Sequence, residues 1–157
     1  MWKTATNISL CTNRTAAFID QLVGLWDRSV RVSHGFLTES DIEQLRPVVR
    51  QAVREIPVLA VAAEGEELVG FAGVAERKIE MLFVAPEYIG KGVGGRLLRW
   101  AIREQGAQYI DVNEQNPLAT AVYEHTGFQV YERSETDDQG QAFPILRMKL
   151  TDNKQHV

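Results

Sequence analysis

One cysteine, Cys11, stands in 157 residues, so no disulfide can form within the chain. A lone thiol suits a reducing compartment, and the cytoplasm is the expected location. Histidine is equally scarce, at three residues, and no His/Cys cluster has the spacing of metal ligands. No metal is therefore expected, and no Ser-His-Asp pattern suggests a nucleophilic triad. No apolar run approaches the length of a membrane span, and the N-terminus lacks a charged-then-apolar leader pattern. Positive charge is not in excess: the formal net charge is −4, which argues against a general polyanion-binding surface. Nucleic acid and membrane are thus not expected partners. Repeats, low-complexity stretches and linkers are absent too, so residues 1–157 read as one domain of ordinary composition, 45% hydrophobic and 24% charged.

What is present is a regular alternation of elements. Residues 7–11 make a short first strand. Residues 15–32 read as a helix, with Ala16, Ile19, Leu22, Val23, Trp26 and Val30 at helical spacing. After a break at Ser33-His34-Gly35-Phe36, a second helix spans 41–54, with Pro47 expected to kink or split it. Residues 58–63 and 68–75 form a hairpin, and 78–84 a strand beside it, on which alternation groups Glu80 with Leu82 and Val84. A helix over 92–105, a strand over 107–112 and a helix after Asn116-Pro117, stopped at Gly127, come next. Two strands, 128–133 and 143–150, follow, joined through a turn at 137–140, and the polar tail from Thr151 is expected to fray. This order predicts an α/β fold, a mixed central sheet with helices on both faces.

The densest chemical signal is Ile89-Gly90-Lys91-Gly92-Val93-Gly94-Gly95, set between a strand and a helix. Glycines let a backbone turn sharply and approach a ligand closely. The helix behind them aims unpaired N–H groups and the positive end of its dipole at the turn. Such an arrangement suits phosphate or pyrophosphate. It is not a P-loop, which needs G-x-x-x-x-G-K-[ST], and its glycine spacing also misses the dinucleotide fingerprint. A nucleotide-binding domain for ATP or NAD is disfavoured on that spacing.

The loop, with Leu82-Phe83-Val84-Ala85-Pro86 before it, resembles the acetyl-CoA loop of the GNAT superfamily of N-acetyltransferases. Its [Q/R]-x-x-G-x-[G/A] core departs from the pattern at Ile89, which occupies the [Q/R] position. A second stretch, Asn116-x-x-Ala119-x-x-x-Tyr123-x-x-x-Gly127-Phe128, resembles the family's N-x-x-A-x-x-x-Y-x-x-x-G-F signature. Asp-Val-Asn-Glu-Gln-Asn at 111–116, the run from Arg133 to Gly140 and Ser-His-Gly-Phe-Leu at 33–37 are similar to the YjaB-like branch of small bacterial members.

The resemblance implies strands four and five splayed around the pantetheine arm of acetyl-CoA. It implies pyrophosphate on the backbone of Ile89, Gly90, Lys91, Gly92, Val93, Gly94 and Gly95, and pantetheine along Phe83 and Val84. Asn116 would bond the cofactor arm, and its plain reading as a helix cap is compatible with that role. Tyr123 is the implied general acid, since a phenol can protonate a leaving thiolate of similar basicity. Glu80 is the candidate base, although a solvated strand-edge glutamate is as good a reading. Trp26, His34, Phe36, Asp137 and Asp138 are the candidates for binding the acceptor; packing for Trp26 and a turn for the two aspartates are the plainer alternatives. His125 is read as structural.

The expected activity is acetyl transfer from acetyl-CoA to a primary amine, a small molecule first and a protein N-terminus or lysine second. A catalytically silent CoA-binding sensor or interaction module is the alternative. The expected state is monomer or homodimer.

Overall fold

A computed structural model describes residues 6–138 and 140–151. Its elements run β1 (Thr6–Leu10), α1 (Ala16–Ser33), α2 (Glu39–Glu55), β2 (Val58–Glu64), β3 (Glu67–Ala75) and β4 (Lys78–Val84). After a 3-10 turn at Pro86–Tyr88 come α3 (Val93–Gln105), β5 (Tyr109–Asn113), α4 (Pro117–Thr126), β6 (Phe128–Ser134) and β7 (Ile145–Leu150).

Local chemistry sets the helix ends. Thr15 caps α1 by accepting from Phe18 N–H. Thr38 and Asp41 form a reciprocal capping box on α2, a device that contributes about 1 kcal/mol. The Arg14 guanidinium donates to the carbonyls of Val53 and Arg54, the otherwise unpaired end of α2. Ion pairs from Asp20 to Arg50 and from Asp27 to Arg46 tie α1 to α2. The expected break at Pro47 does not occur, and α2 runs through it. Pro47 and Glu43, whose carbonyl loses its N–H partner, are both exposed, so water can take the missing bond.

Seven strands form one sheet in the order β1-β2-β3-β4-β5-β7-β6. Every neighbouring pair is antiparallel except β4 and β5. Helices α1 and α2 cover one face, where Leu22, Trp26 and Val53 pack with Leu59, Phe71 and Met81. Helix α3 covers the other, through Leu97 and Val93 against Ala62 and Ala72, and α4 extends it through Tyr123, which packs on Phe128 of β6.

Pairing of β4 with β5 is limited to Lys78 with Tyr109 and Ile79 with Ile110. Beyond those two pairs the parallel strands part, and the edge of Met81–Val84 that faces β5 has no strand partner among the described residues. A bulge causes the change of direction. Gly73 pairs with Met81 and Val74 with Ile79, which leaves Glu80 as the extra residue. Simple alternation is therefore wrong here. Ile79 and Leu82 pack on the α3 side, whereas Glu80 shares a hollow with Lys78 and Asp111 on the opposite face.

Thr151, expected to open a frayed tail, donates both its N–H and its hydroxyl to the Gly127 carbonyl at 2.9 Å. Residues 152–157 of that tail, and Gln139 in the expected 137–140 turn, lie outside the described residues.

Candidate active site

The glycine loop takes its shape from two residues in the left-handed region, Gly90 (φ 85°) and Gly92 (φ 89°), where a side chain would be strained. Gly92 is the N-cap of α3, and no side chain caps the helix. The N–H groups of Val93, Gly94 and Gly95 precede the first intrahelical acceptor pairing, which runs from Arg96 N–H to Gly92 carbonyl at 3.1 Å. They form a set of donors at a positive dipole end, suited to an anion. Lys91 adds charge, with its ammonium 5.7 Å from the centre of the Tyr88 ring. Tyr88 is held in turn by donating to Glu67 at 3.0 Å. Ile89 is exposed. Immediately upstream lies the open edge of β4 with Phe83 and Val84.

On the same side of the sheet, Tyr123 is buried edge-on to Phe128, in the cluster that holds Val112 and Leu98. Burial pushes its pKa well above that of a free phenol, so the hydroxyl keeps its proton at any physiological pH. Asn116 caps α4 by accepting from Ala119 N–H at 3.3 Å, which uses its oxygen and leaves its amide N–H groups as donors.

The opposite face carries a chamber of about 240 Å³ lined by Lys78, Ile79, Glu80, Asp111, Asp137, Asp138 and Ile145. Lys78 Nζ lies 2.7 Å from Asp111 Oδ2, and Arg147 Nη1 lies 2.6 Å from the same oxygen. The other Arg147 nitrogen reaches Asp138 at 3.3 Å. Glu80 stands among these groups. Desolvation is the largest influence on it and raises its pKa; Lys78 opposes that, while Asp111 and Asp138 add to it. A carboxylate so placed is a better proton acceptor than one in water.

Two further placements matter. His34 forms a tilted pair with Phe36 at 5.4 Å, and Phe36 another with Phe143 of the β6–β7 loop at 5.3 Å. Burial holds the His34 imidazole below its ordinary pKa, and its Nδ1 meets Ser33 Oγ at 2.7 Å. Trp26, by contrast, is 3% exposed in the core beneath α1 and is not part of the chamber lining. The aromatic contact to the loop comes from Phe36 and Phe143 instead. Asp137 shapes the loop, accepting from Gln141 N–H at 2.8 Å.

Lys78, Asp111 and Arg147 were not singled out from the sequence. They carry a signal nonetheless: in β4, β5 and β7 these residues alternate with the apolar Ile79, Ile110 and Met148, so one face of three strands is ionic. No motif marks them.

A glycine loop at an uncapped helix start, a bulge that splays two parallel strands, and a buried tyrosine on α4 together define an acyl-CoA-dependent acetyltransferase fold. The chain belongs to the GNAT superfamily of N-acetyltransferases, enzymes whose donor is acetyl-CoA. Residues 56–130 match the acetyltransferase (GNAT) domain. The chain is 35% identical to the peptidyl-lysine N-acetyltransferase YjaB of Escherichia coli over 129 residues, covering 82% of this chain and 88% of that protein. Its counterpart in Salmonella typhimurium is 33% identical, with 82% and 89% covered. The solution structure of apo YjaB from Escherichia coli superposes with a TM-score of 0.83 at 33% identity, over 95% of this chain and 99% of that one. Among the described residues, no helix is long and apolar enough to cross a membrane.

Proposed function

We propose that this enzyme acetylates the ε-amine of lysine by direct attack on acetyl-CoA. The reading is carried by one arrangement, an acidic chamber and a glycine loop on opposite faces of a sheet that opens between β4 and β5. The two YjaB proteins are named for peptidyl-lysine, which favours lysine over the small-molecule amines expected first.

Acetyl-CoA supplies the thioester. The unpaired N–H groups of Val93, Gly94 and Gly95 hold its pyrophosphate, while those of Ile89 and Lys91 stay bonded to the Pro86 and Tyr88 carbonyls; the open edge of Phe83 and Val84 bonds its pantetheine as an added strand would. Asn116 donates its amide N–H to the same arm. Glu80 takes a proton from the acceptor ammonium, the neutral amine forms the C–N bond, and the nitrogen gives up its second proton to solvent as the amide forms. As the C–S bond breaks, Tyr123 gives its proton to the departing sulfur. The protonated Glu80 returns its proton to solvent, and solvent restores that of Tyr123. Phe36, with His34 behind it, lines the approach, and Asp137 and Asp138 attract the cationic acceptor.

The test is incubation with acetyl-CoA and a lysine-containing peptide, followed by mass spectrometry. Acetyl-lysine formation supports the reading. Acetyl-CoA binding with no transfer to peptides or to a panel of small amines would favour a silent CoA-binding module.

A further inference from the structure

Arg147 binds two carboxylates of the acceptor chamber, Asp111 and Asp138, and the role inferred for it rests on the lysine-acetylating activity proposed above. It faces Asp111 in register across β5–β7 and Glu132 across β6–β7. Its two terminal nitrogens serve unequal partners. The bond to Asp111 is 2.6 Å long and sheltered, with side chains 21% and 19% exposed. The contact with Asp138 is 3.3 Å, and the Asp138 side chain is 74% exposed. Asp111 also has Lys78 on the same oxygen, whereas Arg147 is the one ion-pair partner of Asp138 among the described residues.

A long, exposed ion pair contributes little and exchanges readily, while a short, half-buried one persists. The chamber lining holds four carboxylates, Glu80, Asp111, Asp137 and Asp138, and one cation, Lys78, with Arg147 outside the lining but paired to Asp111 and Asp138. It therefore favours entry of a further positive charge.

We propose that Arg147 is a placeholder for the acceptor: the incoming lysine ammonium displaces it from Asp138 while Arg147 keeps its hold on Asp111. Asp138 is then the residue that recognises the cationic acceptor, and Glu80, on the lining of the same chamber, takes the proton. The freed guanidinium nitrogen turns toward Glu132, already opposite it on β6. Arg147 is a positioning residue that competes with substrate; it touches no reacting atom. No bond is made or broken in this step beyond the exchange of one cation for another on a single carboxylate.

Steady-state kinetics with Nα-acetyl-lysine amide and acetyl-CoA test the inference in three proteins: wild type, Asp138→Asn and Arg147→Lys. The lysine at 147 keeps a cation for Asp111 but is too short to hold Asp138 as well. Asp138→Asn is expected to raise the amine KM at least tenfold, with the acetyl-CoA KM unchanged. Arg147→Lys is expected to lower the amine KM threefold or more, an effect that loss of a merely structural clamp would not produce. A rise in amine KM for Arg147→Lys, or none for Asp138→Asn, would overturn the placeholder role while leaving the proposed activity intact. Wild type that binds acetyl-CoA yet transfers nothing to lysine would overturn the activity, and this inference with it.

Discussion

Glu80 and Tyr123 stand on opposite faces of the sheet, Glu80 in the ionic chamber with Lys78 and Asp111 and Tyr123 in the apolar cluster with Val112 and Phe128. Between β4 and β5, pairing is limited to Lys78 with Tyr109 and Ile79 with Ile110. In the proposed mechanism, proton removal from the amine and proton delivery to the thiolate thus have separate environments, one charged and one apolar. Desolvation raises both pKa values, which makes the Glu80 carboxylate a stronger proton acceptor and keeps the Tyr123 phenol protonated.

Glu80 gives the first prediction. Its folded-state pKa lies above the ordinary value because of desolvation, so activity should fall with decreasing pH sooner than an ordinary carboxylate would dictate. Glu80→Gln should reduce kcat/KM by about 100-fold and abolish that acidic limb. Linkage adds a second sign. The folded state binds this proton more tightly than the unfolded chain does, so an ionised Glu80 works against stability at higher pH. Glu80→Gln should therefore match or exceed wild type in Tm at pH 8, as measured by calorimetry.

The loop gives the second. Gly92→Ala forces a side chain into φ 89°, at a cost of about 1–2 kcal/mol, and should weaken acetyl-CoA binding at least tenfold in a calorimetric titration. Ile89 is exposed and can change without disturbing the core. Ile89→Gln restores the family residue and should tighten acetyl-CoA binding roughly threefold, about 0.6 kcal/mol.

His34 governs a third, on stability. Its folded pKa is depressed by burial, so the unfolded chain takes up this proton first as pH falls. The contribution is present above the unfolded pKa of about 6.5 and is lost as pH drops through and below it. Tm should decline in that window, and His34→Asn should flatten the decline. An unchanged slope in the variant would place the titrating group elsewhere.

Pro47 supplies the fourth. Within α2 it removes one backbone hydrogen bond while its own ring and Glu43 face solvent. Pro47→Ala should raise the unfolding free energy by about 1–3 kcal/mol in urea titrations.

The fold was legible because its punctuation is local: Thr15, Asn116-Pro117, Gly106 and Gly127 fix helix ends within a residue or two, and apolar periodicity gives each face. The loop was legible for the same reason, since its glycines are needed where they stand. Other features were not. The bulge at Glu80 has no glycine or proline within β4; its one glycine, Gly73, lies across on β3, so it could be placed only once the register of the two strands was known. The Lys78–Asp111–Arg147 network joins residues up to 69 positions apart, held together by register alone. Trp26 shows the converse, an aromatic placed near the acceptor from its neighbours in sequence but turned into the core by the helix face it shares with Leu22 and Val30.

The central claim is that Tyr123 protonates the departing thiolate. The direct measurement is single-turnover acetyl transfer to a lysine peptide by Tyr123→Phe, paired with calorimetric titration of acetyl-CoA. Phenylalanine fills the same buried space against Phe128, so affinity and Tm should hold. The predicted result is an unchanged Kd for acetyl-CoA and a transfer rate reduced by about 100-fold. Transfer at the wild-type rate would contradict it.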